Sequence, residues 1–227
     1  MTECLAWIAA PAWNILSTDV SVGDLAGFAT GLACVVLAAR GSIWNFPLGI
    51  ANAMVLGVLF HQVGLFGDMV LQGVFFALSI QGWIGWRNRE RRTMRPRAGK
   101  LSDHLTGFVV MAVLVFPLRH RLEILGGSAP WPDALVTAGS LWAQWLLNRR
   151  SVSCWVWWIA VDLVSVPLYW SKGLPLISLL YVVFLGLCVH GWLQWRRDLA
   201  EATMDEDASE IPAAGGTGSA EIVEALP

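Results

Sequence analysis

Charge is what this sequence has least of. Only 14% of its 227 residues are Asp, Glu, Lys or Arg, against about a quarter in a soluble domain. The few charges are also segregated: Phe46 to Gly67 carries none, while Arg87 to Lys100 is crowded with them. A formal net charge of −2 lacks the basic balance that nucleic acid demands, so no nucleic-acid partner is expected. Histidine is scarce too. His61, His104, His120 and His190 lie scattered near the ends of apolar stretches, with no HExxH and no Ser/His/Asp set, which argues against metal-dependent or triad hydrolysis. The four cysteines form no CxxC pair, and Cys34, Cys154 and Cys188 read as small hydrophobes inside apolar runs. No glycine-rich nucleotide loop is present. The chain is therefore expected to be no enzyme and to need no cofactor.

What the sequence has in abundance is apolar surface, 56% of all residues, and 14 Trp. A spanning helix needs about 20 mainly apolar residues. Seven stretches qualify: Val22–Ala39, Trp44–Val63, Leu65–Trp86, Leu101–Leu118, Trp131–Asn148, Val152–Trp170 and Leu174–Trp195. The chain thus reads as an all-α integral membrane protein with seven transmembrane helices and the bilayer as its solvent. Residues 1–21 lack a cationic stretch ahead of an apolar one, so they read as an interfacial segment rather than a signal peptide. Residues 87–100 form a basic loop. Residues 198–227, rich in Glu, Asp, Ala and Gly, read as a disordered acidic tail.

With seven spans, the N-terminus and the second, fourth and sixth connectors share one side, which carries Arg119, Arg121 and Lys172. The other side carries Arg40, Arg149, Arg150, Arg196, Arg197 and the seven cations of the 87–100 loop. The positive-inside rule then places the C-terminus in the cytoplasm and the N-terminus outside.

An internal repeat appears without gaps at an offset of 109 residues. Gly82-Trp83-Ile84-Gly85-Trp86-Arg87 closes the third span, and Gly191-Trp192-Leu193-Gln194-Trp195-Arg196 closes the seventh. Asp24 falls on Asp133, Arg40 on Arg149, and Gly64-Leu65 on Gly173-Leu174. Chance matching of apolar helices does not account for the charged and glycine positions. Residues 22–86 and 131–195 are read as two three-helix repeats, with 101–118 as a linker helix. The offset covers four spans, an even number, so the repeats are parallel, a build that places a transported solute near the midplane between halves.

Polar groups at membrane depth face the bundle interior by default. Asp162 stands mid-span, with Trp155 and Trp158 seven and four residues earlier on the same helical face. Thr137, Ser140, Gln144 and Asn148 make one stripe of the fifth span. The second span supplies Asn52, the third Gln72, and the seventh Tyr181 at the repeat position of Gln72. Asn and Gln of this kind also serve as hydrogen-bond glue between helices. A lone carboxylate has no such alternative, because no Lys or Arg lies at its depth; its partner is a neutral donor, a proton or a ligand. Aromatic faces, neutral amides and one carboxylate suit a flat, polar, neutral or weakly cationic molecule and not a phosphate. The Trp pairs of GWxxWR, at span ends, read as interface anchors.

These residues resemble the PnuC family of bacterial vitamin transporters. Asn45-Phe46-Pro47-Leu48-Gly49-Ile50-Ala51-Asn52, Leu65-Phe66-Gly67-Asp68, Leu71-Gln72, Gly82-Trp83-Ile84-Gly85-Trp86, Ala143-Gln144, Trp155-Val156-Trp157-Trp158 with Asp162, and Leu180-Tyr181 carry the resemblance, from about Asp24 to Arg197. It implies a SWEET-like fold of three plus one plus three helices, often a homotrimer, in the bacterial plasma membrane. It implies facilitated diffusion of nicotinamide riboside, a substrate then trapped by a cytosolic kinase. Carried over, Asn52, Gln72, Gln144, Trp155, Trp158 and Asp162 are the expected substrate contacts, with Ser140 and Tyr181 added from the polar pattern. Gln81 stands where the family usually has Tyr, and Gly67 where it usually has Ala, so thiamine and riboflavin remain alternative cargoes. A membrane scaffold or sensor signalling through the acidic tail is the alternative from another class.

Overall fold

A computed structural model of the chain describes residues 11–15, 18–62, 66–89, 95–173 and 175–210. Residues 1–10 of the expected interfacial segment, 90–94 of the basic loop and 211–227 of the acidic tail lie outside the described residues. A short antiparallel hairpin, β1 (Pro11–Ile15) and β2 (Thr18–Ser21), opens the described chain. Apolar composition alone had given that segment no secondary structure. Seven helices follow: α1 (Val22–Ala39), α2 (Asn45–Gln62), α3 (Phe66–Arg89), α4 (Leu101–Ile124), α5 (Pro130–Asn148), α6 (Ser153–Ser171) and α7 (Pro175–Glu210).

Among the described residues, Met69–Asn88, Leu101–Ile124, Ser153–Ser171 and Ile177–Met204 are long and apolar enough to cross a membrane. Leu25–Ala39 and Asn45–Leu59 are shorter apolar helices. Helix α5 falls short in hydropathy because it carries the polar stripe that ends at Asn148. It also holds eight buried residues, among them Ala138, Ser140, Ala143 and Leu146, so its polar groups face protein rather than lipid.

The packing follows the repeat. Within the first half α1 packs on α2 and α2 on α3; within the second, α5 packs on α6 and α6 on α7. The halves join where α1 meets α7 and where α3 meets α5, two junctions related by the same exchange of repeats. Six helices thus close into a ring. Helix α4 stands outside it against α5, with Phe108, Val109, Val113 and Phe116 exposed, as a lipid-facing surface requires.

The turns that leave α1 and α5 are copies of each other. Gly41 N–H donates to Ala38 O and Ser42 N–H to Leu37 O, both at 2.9 Å; Arg150 and Ser151 donate to Leu147 and Leu146 at 2.8 and 3.1 Å. The turn needs a left-handed residue, φ 64° at Gly41 and 55° at Arg150. Glycine takes that conformation freely and arginine does not. At Arg150 the strain is offset by a guanidinium 3.9 Å from the Trp86 ring centroid and by the backbone bond from Arg97 N–H to Arg150 O at 2.9 Å.

The acidic tail departs from expectation. Helix α7 continues past Asp198 to Glu210. Its sequence there is rich in good helix formers, Leu199 packs on the main core, Ala202 is buried, and Arg95 donates to Ala202 O at 3.1 Å. Charge and low hydropathy signalled disorder, but the helix is held along one side.

Candidate functional site

A cavity of about 240 Å³ opens inside the ring, and all eight residues expected from sequence line it: Asn52, Gln72, Ser140, Gln144, Trp155, Trp158, Asp162 and Tyr181. Most of the lining falls into pairs 109 residues apart. Gly31 faces inward with Ser140, Val35 with Gln144, Ala38 with Leu147, Gly49 with Trp158, Ala53 with Asp162, and Gln72 with Tyr181. The cavity therefore sits on the axis that relates the halves. Its shape is symmetric and its chemistry is not. Where the second repeat supplies an indole and a carboxyl, the first supplies Gly49 and Ala53. Small residues opposite large polar ones leave the space a ligand needs. Comparing the repeats position by position would have found Gly31, Gly49 and Ala53 from sequence; searching for polar side chains passed over them.

Asp162, at the middle of α6, is 2% exposed. Cys188 lines the cavity with it, and Oδ2 has no partner among the described residues. A buried carboxyl oxygen without a donor is costly. The Asn52 amide is oriented by Thr30, whose hydroxyl donates to Oδ1 at 3.0 Å, and its Nδ2 lies close to Gly31 at the cavity wall. Gln144 donates to Asn148 Oδ1 at 3.2 Å, and Asn148 in turn donates to Leu78 O at 2.8 Å. Gln144 is thus both a wall group and part of the seam between α5 and α3. Tyr181 stacks on Tyr169 at 5.1 Å and meets Phe184 edge-on at 5.9 Å, which fixes its ring. Trp158 is half-buried against the core. Trp155 is 1% exposed, its Nε1 without a partner among the described residues. The Asp68 side chain lies outside the described ones.

The Trp pairs of GWxxWR split. Trp83 is exposed and Trp192 half-buried, as interface anchors would be. Trp86 and Trp195 are 1% and 2% exposed and belong to the core between the halves, which corrects their reading as anchors. The reason is the glycine four residues earlier in each motif: Gly82 admits Phe46, and Gly191 admits Trp155. Each of those rings then packs edge-on against the motif's second Trp, Phe46 on Trp86 at 4.9 Å and Trp155 on Trp195 at 5.4 Å.

Two like-built halves closed around a cavity that carries amide, hydroxyl and carboxyl side chains among apolar ones are the build of a membrane transporter. Residues 21–197 match the nicotinamide mononucleotide transporter family. The chain belongs to that family, the PnuC family, and is a transporter rather than an enzyme. It is 29% identical over 205 residues to the riboflavin/roseoflavin transporter RibM of Streptomyces davaonensis, covering 85% of this chain and 94% of that protein. It is 25% identical over 205 residues to the nicotinamide riboside transporter PnuC of Escherichia coli K12, covering 78% of this chain and 86% of that one. The fold is similar to the crystal structure of the vitamin B3 transporter PnuC, with a TM-score of 0.64 and 24% identity over 79% of this chain and 82% of that one.

Proposed function

We propose that the chain mediates facilitated uptake of nicotinamide riboside across the bacterial plasma membrane, binding it between the two repeats. The observation that carries this reading is the carboxyl of Asp162, 2% exposed with an open Oδ2, in a cavity lined, among the described residues, by no other carboxyl and by no cationic side chain. Nicotinamide riboside is a pyridinium nucleoside with a fixed positive charge, a carboxamide and ribose hydroxyls. Asp162 supplies the counter-charge, and Trp158 the face on which the ring stacks. Asn52, Gln72, Ser140 and Gln144 bond the carboxamide and hydroxyls, while Trp155 and Tyr181 wall the cavity. Its volume of about 240 Å³ lies just under the usual range of small-molecule sites, which supports a compact nucleoside. The remaining parts of the reading are the cytoplasmic placement of the arginine-rich end, a homotrimeric assembly, and trapping of the product by a cytosolic kinase.

A second reading, riboflavin uptake, is favoured by the 29% identity to a riboflavin transporter. Riboflavin is larger and uncharged, so Asp162 would serve it only as a hydrogen-bond acceptor and not as a counter-charge. Calorimetric titration of the purified protein with nicotinamide riboside, thiamine and riboflavin separates the cases, followed by uptake into proteoliposomes. Nicotinamide riboside is expected to bind and to enter. Binding of riboflavin alone would move the assignment to the second reading, and uptake of none would return the chain to a scaffold or sensor role.

A further inference from the structure

The end of the bundle that carries Arg40, Arg149 and Arg196 is closed by two hydrogen bonds between the halves. Trp86 Nε1, on α3, donates to Asn148 O at the end of α5, at 3.1 Å. Trp195 Nε1, on α7, donates to Ala39 O at the end of α1, also at 3.1 Å. Donors and acceptors are each 109 residues apart, so the two bonds are exchanged by the repeat. The residues just before the acceptors, Ala38 and Leu147, line the cavity. The bonds thus lie directly beneath its floor, and a solute leaving toward the arginine-rich face must pass where they hold the halves together.

The closure is also in contact with the binding site. Trp155 lines the cavity and packs edge-on against Trp195. Its repeat mate Phe46 makes the same contact with Trp86 but is not part of the lining. One of the two bonds is therefore coupled to what the cavity holds. Gly191 fixes this contact, since a Cβ there would come within 2.7 Å of the Trp155 ring.

We propose that Trp86 and Trp195 form the gate between the cavity and the arginine-rich face, and that Gly191 and Trp195 position Trp155 so that cargo in the cavity biases that gate. The inference rests on the chain being a carrier and is independent of which vitamin it carries. Parallel repeats that rock against each other must release one inter-repeat seam at a time, and this seam has two discrete bonds to release.

Sided labelling in the absence of any vitamin tests it. Cys34 lines the cavity, so a full-length variant keeping it as the sole cysteine, in vesicles of known orientation, reports entry of a membrane-impermeant maleimide from either face. Trp86→Phe/Trp195→Phe keeps both rings and removes both N–H donors. Labelling from the arginine-rich face is expected to rise on the order of tenfold, with labelling from the opposite face unchanged or lowered. Gly191→Ala, which displaces Trp155 from Trp195 while every lining side chain keeps its identity, is expected to give the same one-sided rise. A merely structural role predicts general loosening, with equal rises from both faces. Equal rises, or no rise in the double variant, would overturn the gate; no rise in Gly191→Ala would overturn the coupling through Trp155.

Discussion

Trp86 and Trp195 are repeat mates whose rings lie 6.2 Å apart between centroids, each bonded to the first helix of the other half. A motif that recurs at the end of each repeat thus meets itself at the axis, and the halves are tied by a reciprocal pair of contacts.

Trp158→Ala removes the largest free aromatic face. Loss of stacking on a cationic ring is expected to weaken nicotinamide riboside binding about 10- to 100-fold, with the helical circular dichroism and elution profile of the native protein retained. Unchanged affinity by calorimetry would take Trp158 out of the site.

Asp162→Asn separates charge from shape. Affinity for nicotinamide riboside is expected to fall on the order of 30-fold or more, with little change for uncharged riboflavin. Equal loss for both ligands, in parallel titrations, would mean that Asp162 acts through packing.

Ala53→Leu fills the void from the first repeat, opposite Asp162. Uptake into proteoliposomes is expected to drop to background while the melting temperature in detergent changes little, because the added side chain enters empty space. A variant that still transports at the native rate would place the solute elsewhere.

Gly82→Ala acts on the support instead. A Cβ at this position overlaps Phe46 and Asn148, and overpacking of this kind is expected to cost about 1–3 kcal/mol. Thermal unfolding in detergent should show it as a lowered midpoint, a loss that a smaller side chain, Phe46→Leu, partly restores.

Removal of the residues after Glu210 is expected to leave uptake intact. Removal from Glu201 onward takes away the Ala202 carbonyl that Arg95 holds and is expected to lower stability by about 1 kcal/mol. Indistinguishable melting curves for the two truncations would show that the contact contributes nothing.

Much of this was legible in the sequence because the bilayer restricts what a chain can do. Apolar runs had to be helices, and polar groups inside them had to turn inward, which is why Asn52, Gln144 and Asp162, from three separate helices, could be assigned to one cavity. The repeat offset supplied the relation between halves. What escaped was what symmetry does to small residues and to motif tryptophans. Gly49 and Ala53 carry no chemistry of their own and matter only through what faces them. Trp86 looked like Trp83, three residues away, until Gly82 proved to be a socket for Phe46. The extension of α7 to Glu210 escaped because its support, Arg95, comes from a distant loop.

Helix α4, outside the ring, contributes no residue to the cavity, yet the transporter depends on it through parity. Three helices carry the chain from one face of the membrane to the other, and a second triplet joined directly would be threaded upside down. One additional crossing returns the chain to the starting face, so the second triplet enters in the same sense as the first. For that purpose α4 need only be apolar and long enough to cross. Its outward face is the part of the molecule freest to drift in sequence, or to be replaced by an unrelated hydrophobic helix.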